Sequence, residues 1–158
     1  MDKTSHHKLH LRDIILGGQD GVVNVLGIIL GVAAASGDTR IVLVAGLAAT
    51  FAESFSMAAV AYTSSVARFH ALSDALIVGF SAILGSFIPL FPFVFFPISL
   101  GMRVAVYSSA VALFVLGVYK AKVMDLSLWR SGLQITVIGL TAAAIGYVIG
   151  LLFKIPMA

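Results

Sequence analysis

Two carboxylates stand inside stretches too apolar to face water. Asp20 interrupts Ile15-Leu16-Gly17-Gly18-Gln19-Asp20-Gly21-Val22-Val23-Asn24, and Glu53 interrupts the run from Ala48 to Ala61, with Met57 one helical turn further on. Asp20, Asn24, Glu53 and Met57 together offer two carboxylates, an amide carbonyl and a thioether, which makes them a candidate metal site. Carboxylates attract a divalent cation and supply oxygen ligands once deprotonated. Magnesium and calcium gain little from a thioether, whereas a transition metal can use one. Because the ligands must give up their protons to bind, metal and protons compete for the same groups. That competition is a route to coupling metal movement to a proton gradient.

The chain that carries these residues is built for lipid. Its 158 residues are 60% hydrophobic and only 11% charged, with a mean hydropathy of +1.08, whereas a soluble domain carries about 25% charged residues. The expected class is an all-α integral membrane protein. With no cysteine, disulfides, zinc–thiolate sites, iron–sulfur clusters and thiol nucleophiles are excluded. The net charge of +3 comes from basic residues beside apolar spans, where juxtamembrane charges gather. The expected partner is therefore the bilayer and not nucleic acid.

Apolar runs of about 20 residues mark transmembrane helices. Five occur, at Ile14–Ala35, Ile41–Ala67, Ala75–Phe96, Ile98–Tyr119 and Trp129–Ile155, and they make residues 1–158 a single transmembrane domain behind a short N-terminal segment, 1–13. Asp38 or Thr39 is placed to cap the second helix, Ser73 or Asp74 the third and Ser127 the fifth. Lys3, Lys8 and Arg12 before the first run, and Ala33-Ala34-Ala35 at its end, resemble a cleaved signal. A run of 22 residues holding Asp20 reads better as a span, since signal cores are about 7–15 residues long. Of the ten basic residues, Lys3, Lys8, Arg12, Arg68, Lys120, Lys122 and Arg130 share one side and Arg40, Arg103 and Lys154 the other. The excess places the N-terminus in the cytoplasm and the C-terminus outside. Pro89, Pro92 and Pro97 should end the third helix in a bent, aromatic-rich corner, more an interfacial plug than a gate.

Depth and facing bring the polar residues together. At a rise of about 1.5 Å per residue, Asp20 lies about 9 Å and Glu53 about 12 Å from the inner side of a core about 30 Å thick, bracketed by Met57 and Asn24. Asp13, Gly17, Asp20, Asn24, Ile28 and Gly31 step along one helical stripe, and Gly46, Thr50, Glu53, Met57, Val60 and Ser64 along another. Glycines 17, 18, 21, 27 and 31 thin the first helix for close backbone approach. A lone carboxylate at such depth costs at least about 2.5 kcal/mol, so two at one level point to a shared site.

Other readings compete. An intramembrane acid can be the buried partner of an arginine, with Arg12, Arg68 and Arg103 as candidates, and a methionine can simply fill space. The polar stripes would then only hold helices together, in a scaffold or subunit that transports nothing, or they would line a passive metal channel. On a short helix His7 and His10, or His6 and His10, would share a face and could bind metal, but solvated juxtamembrane residues are the plainer reading, and His70 stands alone. No span contains a histidine, which excludes a bis-histidine haem. No Ser/His/Asp set, Gly-x-Ser-x-Gly elbow or phosphate loop is present, so no enzymatic activity is expected. Arg103 and Trp129 are expected at membrane surfaces, Arg103 within reach of Asp38. Gly139, Gly146 and Gly150 mark a packing face, and Gln134 is an isolated amide.

Arg12-Asp13-Ile14-Ile15 with Asp20-Gly21-Val22-Val23-Asn24 and Leu26-Gly27, then Ala45-Gly46-Leu47 and Ser56-Met57-Ala58-Ala59, resemble the vacuolar iron transporter family. The likeness continues through Leu84-Gly85-Ser86-Phe87-Ile88-Pro89-Leu90, Lys120-Ala121-Lys122, Arg130-Ser131-Gly132-Leu133-Gln134 and Gly146-Tyr147. It implies a five-helix homodimer with its pathway between subunits, exporting ferrous or manganous ions from the cytosol in exchange for protons. The ion is cargo, and no resident cofactor is implied. The family's transport-site acid and methionine fall on Asp20 and Met57. Such a protein would sit in the plasma membrane of a prokaryote or the vacuolar membrane of a eukaryote. Three departures stand out, one being Val60-Ala61-Tyr62 where family members often have Gly-Glu-Tyr after the methionine block. Where many members carry a helical cytoplasmic metal-binding domain, this chain has only Arg68 to Asp74. Glu53 precedes Met57 by a turn instead of taking the place of the family's usual second-helix acid, so its role rests on the facing stripes.

Overall fold

A computed structural model describes the backbone of residues 3–65 and 71–154, and side chains over 11–64 and 71–154. The histidines at positions 6, 7, 10 and 70, and Arg68, fall outside the described side chains. The described residues form six helices: α1 (Lys3–Ser36), α2 (Thr39–Ser65), α3 (Ala71–Leu90), the single turn α4 (Pro92–Phe95), α5 (Ile98–Val123) and α6 (Leu128–Leu152). All but α4 are long and apolar enough to cross a membrane. The chain is a multi-pass membrane protein. Helices suit that setting because every backbone hydrogen bond closes within the segment.

α1 is the axis of the bundle. It packs against α2, α3, α5 and α6, with α2 and α3 paired on one side and α5 and α6 on the other. Val25, Leu26, Ile29, Leu30 and Ala33 of α1 meet Val42, Leu90, Phe93, Ala105 and Ala143 in the main core, while Val22 joins Leu113 and Ile135 in a second cluster.

Glycine decides how near the neighbours come, mostly where α1 meets α3 and α6, with Gly46 of α2 also set close against Ile29 of α1. A Cβ on Gly85 of α3 would run into the carbonyl of Gly18, and one on Gly150 of α6 into the carbonyl of Gly31. Gly17 likewise abuts Val78 and Ser81 of α3, so it leaves the stripe shared by Asp20 and Asn24. The thin face of α1 serves α3 and α6. Gly146 and Gly150 do pack as a face of α6, against Gly27 and Gly31, while Gly139 meets Leu113 of α5.

The ends of the helices follow local chemistry. The carboxylate of Asp38 accepts from the backbone N–H of Arg40 at 2.6 Å, capping α2. Gly37 supplies the positive φ of 63° that reverses the chain between α1 and α2, and its N–H closes on Ala33 at 3.0 Å. Ser73 and Asp74 lie inside the first turn of α3 and do not precede it. Ser127 holds the N-cap position of α6 in an extended conformation, without a side-chain cap hydrogen bond. α3 ends at Leu90, not at Phe96. Pro89 is carried in its last turn, and the chain then bends through α4 into α5. At this corner Phe93 is buried, while the rings of Phe91 and Phe95 pack at 4.9 Å between centroids. Trp129 projects from the start of α6 with its indole edge-on to Phe114.

Candidate ion site

α1 and α2 run side by side at a register that brings their polar residues to one level. Nδ2 of Asn24 donates to Oε1 of Glu53 at 2.6 Å. The carboxyl of Asp20, one turn before Asn24 on the same helix, lies close enough to Glu53 to interact with it electrostatically. The second carboxylate oxygen, Oε2, is buried and takes no hydrogen bond from the described residues. Among those residues Glu53 has Asn24 and Asp20 as its interacting side chains, and no arginine is one of them.

The rest of the α2 stripe divides in two. Thr50 and Ser54 are buried and spend their hydroxyls on their own helix, bonding the carbonyls of Gly46 and Thr50 at 2.8 and 2.6 Å. Glu53 and Met57 are half-buried, one turn apart, with Asp20 half-buried and Asn24 exposed across the seam. Among the described residues no group of three or more histidine or acidic side chains forms a larger cluster. The candidate ligand set is therefore small: two carboxylates and one amide, with the Met57 thioether one helical turn along α2 from Glu53.

Two carboxyl groups held together at mid-span repel each other when both are ionised. A proton on one, or a cation between them, removes the repulsion. Asn24 contributes by fixing one oxygen of Glu53, which leaves the other aimed into the protein. Asn24→Ala should cost little stability, because interhelical hydrogen bonds in membranes average about 0.6 kcal/mol and reach about 1.7 at most. A loss of metal affinity of about ten-fold or more in this variant, with the thermal midpoint in detergent nearly unchanged, would place its effect on the ion and not on the fold.

A VIT family model matches residues 11–72 and 65–151, nearly the whole chain. The protein belongs to the VIT family. An uncharacterized protein of Methanocaldococcus jannaschii is 26% identical over 167 aligned positions, covering 87% of each chain. Membership makes this VIT protein one of a family of membrane metal-ion transporters, not of enzymes. The matched segments contain Asp20, Asn24, Glu53 and Met57.

Proposed function

We propose that this VIT-family protein is a homodimeric, proton-coupled exporter of Fe2+ or Mn2+ from the cytosol, and that Asp20 and Glu53 carry the ion and the protons in turn. The observation that carries this reading is the Asn24–Glu53 contact at 2.6 Å, with the Asp20 carboxyl near enough to share a proton with Glu53, whose buried Oε2 has no N–H or hydroxyl donor among the described residues. Two ionised carboxylates are neutralised equally by one divalent cation or by two protons. Exchange of one for the other therefore leaves the charge buried in the membrane unchanged, which avoids the cost of an uncompensated intramembrane charge. Asn24 completes the shell, and its exposure on the outside of a single bundle supports a pathway bordered by a second copy.

Met57 gives the site its bias toward transition metals, since a thioether rewards softer ions. Met57→Leu should lower Fe2+ transport severalfold while changing Mg2+ leakage little, as measured by uptake of each ion into vesicles. The basic residues at the N-terminal end of the bundle orient that end to the cytosol. The membrane is then the plasma membrane in a prokaryote and the vacuolar membrane in a eukaryote.

The scaffold reading has less support, because the glycines of α1 open it toward α3 and α6, whereas the two acids meet at the seam of α1 and α2. Proteoliposomes with an internal pH dye separate the possibilities. An exporter moves protons against an imposed Mn2+ or Fe2+ gradient. A channel leaks metal without proton movement, and a scaffold does neither.

A further inference from the structure

A second polar cluster lies at the other side of α1, against α5. Arg12 and Gln19 of α1 and Lys120 of α5 line a cavity of about 170 Å³, walled elsewhere by Ile15, Leu16 and Met124. None of the described residues lining it is acidic. Two like charges drawn to one small cavity from separate helices repel, and an anion between them relieves that repulsion. Gln19 adds an uncharged amide donor to the same walls.

The level of the cavity says which anion. Arg12 stands two residues before Ile14, where the apolar run of α1 opens, and α5 ends at Val123, three residues after Lys120. Both cations therefore stand where hydrocarbon gives way to headgroups, and the apolar walls continue toward the acyl region. Basic pockets between transmembrane helices take anionic headgroups in this way. We infer that Arg12, Gln19 and Lys120 form a binding site for the phosphodiester of an anionic phospholipid, seated at the seam of α1 and α5 and separate from the Asp20–Glu53 pair.

The test uses the full chain in neutral detergent, with phosphatidylglycerol or phosphatidylcholine of equal chain length added and bound lipid counted by native mass spectrometry. Wild type should retain phosphatidylglycerol in preference to phosphatidylcholine. Each of Arg12→Gln and Lys120→Gln should weaken that retention about five-fold, since a basic residue near the surface is worth about 1 kcal/mol toward anionic lipid. Lys122→Gln, which does not line the cavity, should leave retention as in wild type, and Lys120→Gln keeps the test open if Arg12→Gln fails to fold. Equal retention of the two lipids, or an equal loss in Lys122→Gln, would overturn the site. Displacement of phosphatidylglycerol by millimolar inorganic phosphate, at matched ionic strength, would overturn the lipid in favour of a free anion.

Discussion

Asp20→Asn and Glu53→Gln are each expected to lower Mn2+-driven proton flux in proteoliposomes by about 100-fold or more. Loss of even a supporting residue around a metal costs about 10–100-fold. Here the change removes one of the only two carboxylates of the proposed site. Each substitution keeps nearly the same shape. In Glu53→Gln the new amide carbonyl could still accept the hydrogen bond that Asn24 now gives to Oε1 of Glu53. Folding should therefore survive while the exchange of charge stops. The double variant should be no worse than either single variant, since one remaining carboxylate cannot neutralise a divalent ion. Flux that persists in both single variants at near wild-type rate would remove these carboxyls from the transport step.

The second large effect concerns the seams that hold α1 in place, and it should be asymmetric across a single contact. A Cβ on Gly146 would collide with the carbonyl of Gly27, yet a Cβ on Gly27 would meet nothing nearer than the carbonyl of Ala142 at 3.5 Å, an ordinary contact. Gly27→Ala should thus be tolerated, with a gain of up to about 1 kcal/mol from helix propensity. Gly146→Ala, Gly150→Ala and Gly85→Ala all push against backbone, which has no rotamer to give. Overpacking of this kind costs about 1–3 kcal/mol per site. Gly85→Ala and Gly150→Ala act on opposite flanks of α1 and should add, lowering the unfolding midpoint in detergent well below that of either single variant. A midpoint for Gly146→Ala equal to that of Gly27→Ala would contradict the packing described.

Much of this molecule could be read before its structure was known, for reasons that also explain the misses. Depth follows from counting residues along a helix of fixed rise. The level shared by Asp20, Asn24 and Glu53 was therefore legible, and the Asn24–Glu53 hydrogen bond matches it. Azimuth is harder. A stripe of small and polar residues fixes a face of α1 but not which neighbour occupies that face, and Gly17 packs on α3 although its spacing aligns it with Asp20. Helix ends were displaced wherever hydropathy and hydrogen bonding disagree. α5 runs past Tyr119 to Val123 because Lys120 and Lys122 end the apolar run without ending the helix. α3 stops at Leu90 although the apolar run continues, because the prolines break the hydrogen-bond ladder first. The anionic-lipid cavity had no linear signature at all, since Arg12 and Lys120 are joined only by the packing of α5 on α1.

The central claim is that Asp20 and Glu53 together hold a divalent transition metal. Calorimetric titration of the purified protein with Mn2+ tests it most directly, with Asp20→Asn/Glu53→Gln as the paired control. The account predicts saturable binding to wild type that weakens as the pH is lowered, because protons compete for the ligands, and no measurable heat from the double variant. Equal binding by the two proteins, or none by wild type, would contradict it.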